Sequence, residues 1–117
     1  MQTFGESGEL EPHFQFIEFA NQGAFVLRYV VQRVIDGRLI SQTRMLGRSR
    51  NQQIQRVDLA TLLFHNQALE IGDHARLRIG AAGGVRRTGP SVAYAPNGEI
   101  ARFVVRGTTL AFSIRQA

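Results

Sequence analysis

Every basic side chain in this sequence is an arginine: the 14 positions counted as Lys or Arg contain no lysine. A guanidinium is flat, permanently charged and able to hold a phosphate, sulfate or carboxylate through two hydrogen bonds at once. Against 9 acidic residues this leaves a formal charge of +5 and a pI near 11.2. Arg86 and Arg87 are adjacent, within Ala81–Pro90 (AAGGVRRTGP), and glycines stand at 80, 83, 84 and 89. Such a segment invites comparison with a phosphate cradle, but it does not match G-x-x-x-x-G-K-[ST] and no helix signal follows it. Two readings stay open for Arg86 and Arg87: a solvated hairpin loop, or contact with an anion or headgroup. The wider set Arg28, Arg33, Arg76, Arg78, Arg102 and Arg106 divides the same way. Either these side chains lie on solvated faces, reflecting the base composition of the gene, or they form a basic sheet face for an anionic polymer. Nucleic acid is the less favoured partner, because the aromatic residues occupy apolar positions instead of interleaving with the arginines.

The other chemistry-bearing residues are scattered. His13, His65 and His74 stand alone, without the i,i+4 spacing of a zinc site. Ser41, Ser49, Ser91 and Ser113 have no G-x-S-x-G context, and Asp36 and Glu99 flank turns. With no cysteine, disulfides and thiolate metal sites are excluded. The expectation is a protein that is not an enzyme and uses no metal and no cofactor.

These residues must be carried by strands. Ile100–Ile114 (IARFVVRGTTLAFSI) holds two short runs that bend at Gly107-Thr108-Thr109. Ala101, Phe103 and Val105 share one face of the first run, and Leu110, Phe112 and Ile114 share one face of the second. Ala24–Ile35 is the longest β-rich run, with Phe25, Leu27, Tyr29 and Val31 together on one side. Asp36-Gly37 then marks a hairpin into Arg38–Arg44. Phe14–Phe19 (FQFIEF) is apolar on both faces, which predicts a strand between two layers or one beside a partner chain. Gly47–Gln53 reads as a polar loop, and Ile54–Leu59 resumes the alternation. The stretch 59–71 predicts a short helical or irregular connection, since Leu59, Leu62 and Leu63 have helical spacing behind Asp58. His74–Ala81 and Ser91–Ala95 supply two more strands, with Ala75, Leu77 and Ile79 inward. About eight short strands with turns roughly every ten residues predict an all-β fold, an antiparallel two-sheet sandwich. Residues 1–13 read as a loose lead-in and 14–117 as one domain.

Three segments, in order, resemble the C-terminal membrane-recognition domain of the cholesterol-dependent (thiol-activated) cytolysins. Gly23-Ala24-Phe25-Val26 with Tyr29 is similar to the GAYV…Y strand near the start of that domain. Arg76-Leu77-Arg78-Ile79, the glycine-containing loop and Ser91-Val92-Ala93-Tyr94 resemble its strand, undecapeptide loop and following strand. Val104–Leu110, ending in Gly107-Thr108-Thr109-Leu110, looks like the family's ISIWGTTL segment. The resemblance implies a β-sandwich, and it places Thr109 and Leu110 where the family's Thr-Leu pair recognises sterol. The loop lacks the family's tryptophans and cysteine, and the pore-forming region has no counterpart. Without tryptophan, membrane insertion loses its best interfacial anchors.

The expected role is a non-catalytic binding module without pore formation of its own. Thr108, Thr109, Leu110, Arg86 and Arg87 would lie at one end of the sandwich and meet a membrane lipid headgroup, a glycan or a protein surface. An oligomerisation subunit of a toxin-like assembly, or a homo-oligomer, is the alternative that Phe14–Phe19 suggests. No stretch approaches the roughly 20 apolar residues of a transmembrane helix. Met1–Glu6 lacks the basic start and apolar core of an export signal. The cytoplasm is the default compartment, with secretion by another route left open.

Overall fold

The computed structural model describes residues 11–117. The readings of the lead-in and of the export signal fall largely on residues 1–10 and so lie outside the described residues. The strands are β1 (His13–Phe14), β2 (Phe16–Asn21), β3 (Leu27–Ile35), β4 (Arg38–Gln42), β5 (Gly47–Ser49), β6 (Ile54–Asp58), β7 (His74–Ala81), β8 (Arg86–Thr88), β9 (Val92–Tyr94), β10 (Ile100–Thr108) and β11 (Ala111–Gln116). They form two sheets. The larger runs β1-β9-β7-β3-β4, with β5 also beside β3 and β8 also beside β7; the smaller runs β11-β10-β2-β6.

The two-sheet sandwich is the architecture the alternation predicts. In the larger sheet the long strands β3 and β7 pair from Leu27↔Ala81 to Val34↔His74. The outer edge of β3 is shared by β5 at Leu27–Tyr29 and β4 at Gln32–Ile35. Similarly, β7 is shared by β9 at His74–Ala75 and β8 at Arg78–Gly80. The segment 47–53, expected to be a loop, therefore begins with a three-residue strand. Asp36 and Gly37 take φ values of 50 and 76, as the two-residue β3–β4 hairpin turn requires. Two pairs are parallel, β1 with β9 and β2 with β10, and the long stretch of chain between the members of each supplies the crossover that a parallel pair needs.

Ile17 and Phe19 of β2, Leu27, Tyr29 and Val31 of β3, Leu77 and Ile79 of β7, and Phe103 and Val105 of β10 all point inward and are buried. The rings of Phe19 and Tyr29 meet edge to face across the two layers, 4.9 Å between centroids. Burial raises the Tyr29 hydroxyl above its ordinary pKa of 10.0. The second apolar side of Phe14–Phe19 is explained within the chain. β2 lies between β10 and β6, and the Phe16 ring is covered by the Arg56 guanidinium, 5.7 Å from its centroid. Beside it, Glu18 accepts from Arg56 at 2.8 Å and lies 3.4 Å from Arg102 Nε. The bond from Arg56 is the main reason the Glu18 carboxyl sits below its ordinary 4.5, with desolvation pushing the other way.

The connection after β6 is both helical and irregular. Asp58 Oδ1 accepts from Ala60 N at 2.9 Å and caps a single 3-10 turn, Leu59–Thr61. Helical spacing does not extend further: Leu63 is exposed while Leu59, Leu62, Phe64 and Leu69 pack into the core. Phe64 and Gln67 exchange backbone hydrogen bonds around His65 and Asn66, both left-handed.

Candidate functional site

The predicted site residues gather at the end of the sandwich where β3 begins and β7 and β10 end. Among the chain reversals at that end, three bear on the predicted residues: 21–27 between β2 and β3, 82–85 between β7 and β8, and 109–110 between β10 and β11. The first is built on Asn21, fully buried at the end of β2. Its Nδ2 donates to Phe25 O at 3.0 Å and Ser49 O at 3.2 Å, while its Oδ1 accepts from Gly23 N at 2.9 Å. The amide of Asn21 thus replaces the ladder partners that a crossover between sheets leaves without neighbours. Ala24 N donates to Gly107 O at 3.0 Å, and Ala82 N donates to Val26 O at 3.0 Å, so this reversal touches both of the others.

The other two reversals are joined directly by Val85 N donating to Thr109 O at 3.1 Å. Gly84 is required there: a Cβ at this position would collide with the carbonyl oxygen and side chain of Thr109. Gly107, at φ 128, likewise faces the backbone of Ala111 and Phe112 too closely for any other residue. Beneath the bends, Phe25 and Phe112 pack with ring centroids 5.0 Å apart.

Thr108 ends β10 opposite Ala111 and is exposed; Thr109 is half-buried; Leu110 is 72% exposed. Alternation alone puts Leu110 on the apolar face with Phe112 and Ile114, but it occupies the turn and stands outside that face. Val26, the last residue of the Gly23-Ala24-Phe25-Val26 motif though not one of the predicted site residues, adds a second exposed apolar side chain beside Ala82. Arg86 and Arg87 lie on β8 and not in a loop; the turn itself is Ala82–Val85. As neighbours on a strand they point to opposite sides, and they do not act as a pair.

The structure also divides the expected basic face. Arg28, Arg76 and Arg78 lie on the outer side of the larger sheet, whereas Arg102 and Arg106 lie on the outer side of the smaller one. Arg33 Nε lies 3.2 Å from Asp73 Oδ2, near enough for an ion pair though not aligned for a hydrogen bond. Among the described residues, no group of three His, Asp or Glu could hold a metal, and no helix is long and apolar enough to cross a membrane. His74 Nε2 meets Glu11 Oε1 at 2.7 Å, a neighbour that lies too far off in sequence to be read from spacing.

No family model matches this chain, and no curated protein matches it. Among solved structures its fold is similar to those of cytolysins, the family that its short motifs resemble. Pneumolysin is 16% identical with a TM-score of 0.48, over 87% of this chain and 23% of pneumolysin. A non-hemolytic pneumolysin from Streptococcus pneumoniae strain ST306 is 16% identical with a TM-score of 0.47, over 87% of this chain and 23% of that one. The membrane-binding domain of pneumolysin is 15% identical with a TM-score of 0.48, over 87% of this chain and 94% of that domain. The chain spans less than a quarter of the full-length toxins.

Proposed function

We propose that this chain is a non-catalytic binding module that meets a membrane surface with its paired bends and forms no pore of its own. The observation that carries this reading is the hydrogen bond from Val85 N to Thr109 O. It holds the 82–85 turn beside the 109–110 turn and leaves Leu110 projecting into solvent at 72% exposure. A leucine held out on a rigid bend gains on transfer to an apolar phase, about 1.5–3 kcal/mol for full burial. The resemblance of Gly107–Leu110 to the cytolysin segment assigns sterol contact to Thr109 and Leu110, with Thr108 beside them. Arg86, next to the first bend, supplies a headgroup partner. Arg87 faces the other side of β8 and contributes charge near the surface.

The test is flotation on phosphatidylcholine vesicles with and without sterol, and with anionic lipid. Wild type should float with the sterol vesicles, and Leu110→Ser should bind roughly tenfold more weakly. The unfolding midpoint should not change, because this side chain is outside the core. Equal flotation by the two proteins removes the bend as the contact. A signal on a glycan array with none on vesicles replaces lipid by glycan and overturns the reading.

A further inference from the structure

The larger sheet is electrostatically one-sided. Its strands carry Arg28, Arg33, Arg38, Arg48, Arg76, Arg78, Arg86 and Arg87, and not one Asp or Glu. Register then concentrates part of this charge on its outer side. Arg28 pairs with Gly80, which pairs in turn with Arg86, so the two arginines flank a residue without a side chain. Neighbouring strands lie about 4.8 Å apart, which separates the two backbones by roughly 10 Å. Arg78, two residues before Gly80 on β7, points to the same side and closes one end. Arg28, Arg78, Gly80, Gly84 and Arg86, with the exposed Met45, line a cleft of about 330 Å³.

Across β3, Arg48 stands directly opposite Arg28. Like charges in direct cross-strand register destabilise a sheet unless something negative lies with them. Among the described residues no carboxylate does: the ion pairs involve Arg33, Arg56, Arg102 and His74, and none involves Arg28, Arg48, Arg78 or Arg86. Arg76 is a contrast, because its Nε is already engaged by Gln32 Oε1 at 2.8 Å.

We infer that the Gly80-floored cleft between Arg28, Arg78 and Arg86 is a binding site for a phosphate monoester presented by a lipid headgroup. Three guanidinium groups around one small floor suit a compact group with several acceptor oxygens and roughly two negative charges near neutral pH. A phosphodiester offers fewer free oxygens and half the charge. The lipid source rests on the membrane reading above: Gly83 and Gly84 line the cleft and belong to the bend that would meet the bilayer.

Gly80 gives a test that leaves the net charge unchanged. Its φ is not in the left-handed range, and a Cβ there would meet only Arg86 Cγ, at 3.6 Å, so Gly80→Leu fills the floor while keeping every arginine. Flotation compares phosphatidylcholine vesicles carrying phosphatidic acid, a monoester, with vesicles of equal surface charge carrying phosphatidylserine, a diester. Wild type should prefer phosphatidic acid, and Gly80→Leu and Arg78→Gln should each weaken that binding about tenfold. Arg102→Gln with Arg106→Gln, on the opposite sheet, should leave the preference unchanged. Equal binding to the two lipids, an unaffected Gly80→Leu protein, or an equal loss in the Arg102/Arg106 variant overturns the site.

Calorimetric titration with glycerol 3-phosphate separates this inference from the membrane reading. Leu110→Ser should bind sterol vesicles about tenfold more weakly yet keep the soluble monoester, whereas Gly80→Leu should lose the monoester. Monoester binding in solution without any phosphatidic acid preference overturns the lipid source.

Discussion

Asn21 shows how much a single buried amide can organise. It is apolar in none of its atoms that matter here, yet it is as buried as Ile17 and Phe19 on the same strand. Its amide serves one donor and two acceptors of the backbone, all in segments that must cross from one layer to the other. Asn21→Ala removes all three bonds and leaves buried N–H and C=O groups without partners. A loss of about 2–4 kcal/mol is expected, read by urea unfolding with the slope unchanged. A loss below about 0.5 kcal/mol would mean that water replaces the amide, and the crossover would owe its shape to packing alone. Asn21-Gln22-Gly23 reads from sequence only as turn chemistry. Period two does put the asparagine on the inward face with Ile17 and Phe19, but its partners at Phe25 and Ser49 are fixed by tertiary contacts that spacing does not show.

At the scale of elements, the bends behave as one unit. Gly84→Ala places a methyl group against the carbonyl of Thr109, which belongs to the other bend, and the two cannot both keep their present positions. About 1–3 kcal/mol of destabilisation is expected, with loss of hydrogen-exchange protection at the Val85 amide. Gly80→Ala, with only the flexible Arg86 stem nearby, serves as the control and should be close to neutral. An unchanged Val85 amide in Gly84→Ala would show that the bends tolerate separation. The strands themselves were legible in the alternation: inward Leu77 and Ile79, Phe103 and Val105, Phe112 and Ile114 all follow from period two. The short strands β5 and β8 were not. Each borrows only part of a long neighbour's edge, and three residues such as Gly47–Ser49 or Arg86–Thr88 carry no alternation of their own. Arg86 thus moves from a loop to a strand, and its meeting with Gly80 and Arg28 depends on register that spacing cannot supply. The apposition of the bends was expected from three motifs in order, and the bond from Val85 to Thr109 gives it a physical form.

For the whole molecule, charge and topology are distributed separately. The larger sheet concentrates arginine, while the smaller one carries Glu18 and Asp58 among its strands, with Glu18 already paired to Arg56 and Arg102. The closure of the sandwich relies on strands remote in sequence: β2 lies between β6 and β10, and β1 runs beside β9. Such long-range pairing is slow to form, because loop closure must precede any reward from contact. Refolding from urea in the range of roughly milliseconds to seconds is expected by stopped-flow fluorescence of the tyrosines, well behind a helical domain of this length. Microsecond refolding would contradict the described strand order.

The parallel seam between β2 and β10 has a consequence for how the protein is made. While the chain grows on a ribosome, Ile17 and Phe19 emerge well ahead of the strand that covers one side of β2, which begins only at Ile100. Until that late segment leaves the exit tunnel, an aromatic strand waits with an open edge, and it is then that a chaperone, or another nascent copy, has its opportunity.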